Sequence, residues 1–129
     1  MASGVKLLVV DDEMIIAAML EDVLQDADYD VIVANCGRQA TAILDDPAHE
    51  IAGVVTDINI GSGPSGWDVA RHARVLRPDI PVVYMTGGAA TEWPVHGVPR
   101  SILIGKPFAG GQITTAIATL LNAVGGGIG

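Results

Sequence analysis

Five short apolar runs, none of them alternating with polar residues, constrain this chain more than any other feature. They are Lys6-Leu7-Leu8-Val9-Val10, Val31-Ile32-Val33-Ala34, Ile51-Ala52-Gly53-Val54-Val55, Pro81-Val82-Val83-Tyr84-Met85 and Ser101-Ile102-Leu103-Ile104. Each is rich in β-branched residues. A strand with one face in water alternates apolar and polar positions, whereas a strand covered on both faces does not need to. The runs therefore predict the strands of a parallel sheet lying under helices.

Helical patterns separate them. Glu13 to Ala27 places Ile16, Leu20, Val23, Leu24 and Ala27 at spacings of three and four. A short helix is expected over Gln39 to Leu44, stopped by Asp45-Asp46-Pro47. Ser65-Gly66-Trp67-Asp68 has the form of a capping box, a hydroxyl followed three residues later by an acid. The helix it opens ends before Pro78. The last helix is expected from near Gly110 to Val124. Between Gly87 and Pro99, two glycines, Pro94 and Pro99 predict a fourth helix that is short or distorted.

Strands alternating with helices give an α/β, doubly wound (βα)5 fold. A Rossmann-like strand order and a flavodoxin-like order 2-1-3-4-5 are both compatible with the alternation. At 129 residues the chain suits one domain, expected over residues 1–124, with a flexible Gly-rich tail over 125–129.

Composition excludes several functions. With 7 basic and 15 acidic side chains the net charge is −8, against direct binding of nucleic acid. No apolar stretch is long enough for a membrane-spanning helix, and the N-terminus does not read as a secretion signal. One cysteine, Cys36, excludes an internal disulfide framework and fits a reducing cytoplasm. Cys36 reads as a small half-buried side chain, and Trp67 and Trp93 as packing residues. His49, His72 and His96 lack ligand spacing. His72 sits with Arg71, Arg74 and Arg77 on what reads as a solvated helix face.

The polar residues choose between the strand orders. Strand one ends at Asp11-Asp12, strand three at Asp57, strand four at Thr86 and strand five at Lys106, while strand two ends in Asn35-Cys36. Open α/β sheets bind ligands beyond the carboxyl ends of their strands. In the order 2-1-3-4-5 the four informative strands are contiguous, and their polar ends share one cleft. Three carboxylates there repel one another unless a cation intervenes, and Mg²⁺ is the hard divalent cation suited to oxygen ligands beside a phosphate. Lys106, one of only two lysines, supplies a positive charge and Thr86 a hydroxyl. A carboxylate nucleophile, a metal, an ammonium and a hydroxyl make a phosphoryl-transfer site.

These residues resemble the receiver domains of two-component response regulators. The motifs are Val9-Val10-Asp11-Asp12-Glu13, Asp57-Ile58-Asn59, Met85-Thr86-Gly87 and Lys106-Pro107-Phe108, in order and together spanning about residues 5–123. The resemblance implies that Asp57 accepts a phosphoryl group from a kinase phosphohistidine. It implies that Asp12 binds Mg²⁺ directly, that Asp11 acts partly through water, and that the Asn59 backbone carbonyl completes the metal site. It further implies that Thr86 moves toward the phosphoryl group, that Lys106 pairs with it across an often cis bond to Pro107, and that Gly87 leaves access to the acyl phosphate. Its partners would be a sensor histidine kinase or histidine phosphotransfer protein and a downstream protein target. No direct binding of nucleic acid or membrane is expected, a dimer is one available state, and a cytoplasmic location is expected. Leu103 departs from the family, which often has Tyr or Phe three residues before the lysine. A stand-alone receiver is expected. Two other functions stay open on the residues: a haloacid-dehalogenase-like phosphatase, whose nucleophile would instead lie on strand one, and a degenerate receiver that only binds.

Overall fold

The structure is a computed structural model that describes residues 4–88 and 90–125. Its elements are β1 (Lys6–Val10), α1 (Met14–Asp26), β2 (Asp30–Ala34), α2 (Gly37–Asp45), β3 (Ile51–Asp57), α3 (Gly66–Leu76) and β4 (Val82–Thr86). A 3₁₀ turn (Ala90–Glu92), α4 (Trp93–His96), β5 (Ile102–Gly105) and α5 (Gly110–Gly125) follow. The sheet is parallel throughout in the order β2-β1-β3-β4-β5. Both the (βα)5 alternation and the flavodoxin-like order are as expected. Most of the expected tail, 126–129, lies outside the described residues, as do Met1 to Ser3.

The absence of alternation in the strands has the anticipated cause. Leu8, Val10, Val54, Val82 and Tyr84 pack on one side of the sheet with Trp67, Val69 and Ala73 of α3. Leu7, Val9, Val55, Val83 and Met85 pack on the other with Leu20 and Leu24 of α1 and Ile113 and Ile117 of α5. In the three central strands, β1, β3 and β4, nearly every residue is buried whichever way it points, so apolar residues occupy both sets of positions.

Local chemistry sets the helix ends. Ser65 forms the expected capping box: its hydroxyl accepts from the Asp68 N–H, and the Asp68 carboxylate accepts from the Ser65 N–H at 3.0 Å. α2 begins two residues earlier than expected, because the Cys36 sulfur accepts from the Gln39 N–H at 3.4 Å and caps it. α4 is a four-residue turn preceded by a 3₁₀ turn, the distortion that Pro94 and Pro99 predicted.

The solvated arginine face holds in part: Arg71 and Arg77 are exposed, while His72 and Arg74 are half-buried, and several of these side chains also bond backbone or side-chain partners. Arg74 donates to the carbonyls of Ile80 and Pro99, each at 2.7 Å, and Arg77 to that of Ile51 at 2.6 Å. His72 meets Asp45 of α2 at 2.6 Å. These side chains strap α3 to loops and to α2, because the basic face of α3 borders neighbouring loop carbonyls that need donors. Among the described residues no helix is long and apolar enough to cross a membrane.

Candidate functional site

The carboxyl ends of β1, β3, β4 and β5 meet at one rim. Asp11 follows β1 directly. Its N–H donates to the Ala34 carbonyl at 3.1 Å, and its Oδ1 accepts from the Glu13 N–H at 2.9 Å. This turn buries Asp11 to 1% exposure and leaves the next residue, Asp12, in solvent. Asp57 ends β3 and is 6% exposed. Carboxylate oxygens of Asp11, Asp12 and Asp57 all lie within 4.8 Å of one another.

Lys106 answers them from the end of β5. Its Nζ donates to Asp57 Oδ2 at 3.0 Å and lies 3.6 Å from both Asp11 Oδ2 and Glu13 Oε1. Its backbone N–H donates to the Thr86 carbonyl at 2.7 Å, which ties the ends of β4 and β5 together. The Lys106–Pro107 bond is cis. The Thr86 side chain is buried, and its hydroxyl accepts from the Gly88 N–H at 3.1 Å.

The Asp57 backbone is tightly enclosed as well. Gly66, the first residue of α3, lies so close that a Cβ there would stand 2.1 Å from the Asp57 carbonyl oxygen. Its N–H donates to the Ile58 carbonyl at 2.8 Å. Only glycine permits this approach, which folds the loop from Ile58 to Ser65 back against the rim. Asn59 lies in that loop with its side chain exposed.

Electrostatics follow from burial. Desolvation raises the Asp11 pKa above its ordinary value, against the lowering effects of the Glu13 N–H bond and the Lys106 charge. Desolvation also opposes the Lys106 charge, but the Asp57 hydrogen bond and the charges of Asp11, Asp57 and Glu13 outweigh it and raise the Lys106 pKa. One atom remains unserved: Asp11 Oδ2 is buried and has no hydrogen-bond partner. A buried acceptor of that kind is costly. An oxygen-seeking cation between Asp11, Asp12 and Asp57 relieves it, so the residues present fit a divalent metal.

Asp11, Asp12, Asp57, Thr86 and Lys106 thus converge as their strand ends predicted. In the sequence Glu13 reads as a helix start and the end of a motif, and the signal for its place beside Lys106 is its position as third acid in the run Asp11-Asp12-Glu13. Gly66 was read only as part of a helix cap. Its contact with Asp57 connects residues nine apart through a loop, which no local pattern reports.

Comparisons with known proteins identify the family and the fold. The family model described as response regulator receiver domain matches residues 7–118. The crystal structure of a response regulator receiver protein from Sinorhizobium medicae WSM419 matches with a TM-score of 0.91 and 45% identity, over 94% of this chain and 97% of that one. The receiver domain protein from Clostridium thermocellum shares the fold at a TM-score of 0.83 and 24% identity, over 93% of this chain and 96% of that one. Among curated proteins, the phosphate regulon transcriptional regulatory protein PhoB of Pseudomonas aeruginosa is 28% identical over 96% of this chain. The chain covers 55% of that relative's length, about half.

Proposed function

Because the chain belongs to the response regulator receiver domain family, we propose that it is a phosphoryl-accepting switch with Asp57 as the acceptor. The observation that carries this is the Lys106 ammonium 3.0 Å from a nearly buried Asp57 carboxylate that shares its rim with two further acids. A carboxylate oxygen of Asp57 attacks the phosphorus of a phosphohistidine on a sensor kinase or phosphotransfer protein. A P–O bond forms, the P–N bond breaks, and the electron pair leaves on the imidazole.

Asp12, Asp57 and the Asn59 carbonyl, with Asp11 through water, would hold Mg²⁺, which supplies charge neutralisation to the transferring phosphoryl oxygens. Lys106 then exchanges its carboxylate partner for a phosphoryl oxygen. Thr86 gives up the Gly88 N–H and donates its hydroxyl to another. Loss of the phosphoryl group to water returns the protein to its first state, so the domain signals and does not turn over a free substrate. A cytoplasmic location suits the phosphohistidine donor, and output is a change in affinity for a protein target.

The test is intact-mass measurement after incubation with Mg²⁺ and a small acyl phosphate. One phosphoryl group is expected on the wild type and none on Asp57→Asn. A label that survives Asp57→Asn refutes the acceptor assignment.

A further inference from the structure

Thr86 ends β4 and Tyr84 stands two residues before it, so both side chains lie on the same face of that strand. Tyr84 is fully buried, with its ring 4.8 Å from that of Trp67. Its hydroxyl accepts from the Val98 N–H at 3.0 Å. The carbonyl of the same Val98 accepts from the Ser101 hydroxyl at 2.7 Å, and the Ser101 oxygen accepts from Trp93 Nε1 at 2.9 Å. One residue is thereby held through both its N–H and its carbonyl, and a line of hydrogen bonds runs from β4 to Trp93.

The segment it holds has little structure of its own. Its helix is four residues long, far below the roughly 12 residues at which an isolated helix is even marginal. Bonds from elsewhere set its position: the one from Tyr84, one from Arg71 to the His96 carbonyl at 3.0 Å and one from Arg74 to the Pro99 carbonyl at 2.7 Å. In the neighbouring strand, the residue in register with Tyr84 is Leu103. Leu103 packs into the same apolar cluster, but its side chain has no hydrogen-bonding group. The ring that can bond on this face is therefore one strand over, on β4.

Building on the assignment of Asp57 and Thr86 above, we infer that Tyr84 is the positioning residue that couples Thr86 to the segment 93–101, through the bond between its phenol and the Val98 amide. A displacement of the end of β4 that brings Thr86 toward Asp57 carries Tyr84 along, because they are two residues apart on one strand. The Val98 amide is buried, and releasing it leaves a donor without a partner. The Val98 peptide either follows the phenol or finds a new partner, and both outcomes reposition the segment that bears exposed Val95. Packed elements with two discrete arrangements respond in this way.

Tyr84→Phe keeps the ring and removes only the oxygen. Hydrogen exchange of the 93–101 amides, with Trp93 emission alongside, reads the segment, while intact mass reads the phosphoryl group. The wild type is expected to change exchange in this segment on phosphorylation. The Tyr84→Phe protein is expected to take up the phosphoryl group equally, to exchange its Val98 amide about tenfold faster from the outset, and to show no further change. Leu103→Ala is expected to keep the response. A full response in Tyr84→Phe, or its loss in Leu103→Ala alone, overturns the inference. If Tyr84→Phe does not fold, Ser101→Ala removes the next link and is read the same way.

A second arm needs no phosphoryl group. Thr86→Ala and Tyr84→Phe, single and combined, are compared by Val98 exchange. Coupled residues give a non-additive cycle, and strictly additive effects overturn the coupling even if Asp57 proves not to be the acceptor.

Discussion

The Lys106 ammonium sits 3.0 Å from the Asp57 carboxylate while standing 3.6 Å from each of two more acids, Asp11 and Glu13. One cation serves a rim that carries several negative charges. Its removal should therefore do two opposite things.

Lys106→Ala is expected to lower stability at neutral pH by about 2 kcal/mol, since it leaves Asp57 and Asp11 buried without their counter-charge. Mg²⁺ should bind it several-fold more tightly, because a competing cation has gone. Denaturant titration and metal titration check the two halves. The pH dependence has a definite sign. The folded-state pKa of Lys106 is raised above the ordinary 10.5, so its stabilisation is complete below that pH and is lost as pH rises through the folded value. The stability gap between wild type and Lys106→Ala should hold up to about pH 10 and close above it.

Asp11→Asn should behave in the reverse sense. The Asp11 carboxyl has a raised pKa in the fold, with burial as the largest cause. A raised carboxyl favours folding only while protonated, so this contribution is present below its ordinary value of 3.8 and is lost as pH climbs through the folded one. At neutral pH the ionised Oδ2, buried and without a hydrogen bond, is a cost that the Lys106 charge at 3.6 Å offsets only in part. Without metal, Asp11→Asn is expected to be more stable than wild type by about 1 kcal/mol at pH 7, with the gap narrowing in acid. Adding Mg²⁺ should raise the melting temperature of the wild type and leave that of Asp11→Asn nearly unmoved. Removing the metal with a chelator should reverse the rise.

Gly66→Ala places a Cβ 2.1 Å from the Asp57 carbonyl oxygen, against backbone that has no rotamer to yield with. A loss of roughly 3 kcal/mol or more is expected, together with slower phosphoryl uptake at Asp57 as the loop is pushed off the rim. Thermal unfolding and the rate of mass increase test it. A stable, fully reactive Gly66→Ala protein would show that the approach is not needed.

Ser65→Ala removes one half of the capping box while leaving Asp57 and its partners untouched. It should cost about 1 kcal/mol of stability with phosphoryl uptake unchanged, which separates the anchoring of α3 from the chemistry next to it.

The sequence by itself determined the layer architecture. Strands buried on both faces are apolar at successive positions, and past Lys6 the runs at β1, β3 and β4 have that property. The strand order was also legible, because Asp11, Asp12, Asp57, Thr86 and Lys106 can share a cleft only if their strands are adjacent. Caps such as Ser65 with Asp68, and the truncation of α4 at Pro94 and Pro99, were visible because they act within a few residues. Only the tertiary structure decided which side chains serve partners far along the chain. Nothing local to Arg74 and Arg77 shows that they bond the carbonyls of Ile80, Pro99 and Ile51. Tyr84 reads as one more strand residue until the Val98 amide stands at its hydroxyl, and Asp11 reads as a ligand without any sign that one of its oxygens is buried without a hydrogen bond. Periodicity and capping are short-range and leave a trace in a window of a few residues. Hydrogen bonding and desolvation between distant segments depend on where packing brings them, and leave none.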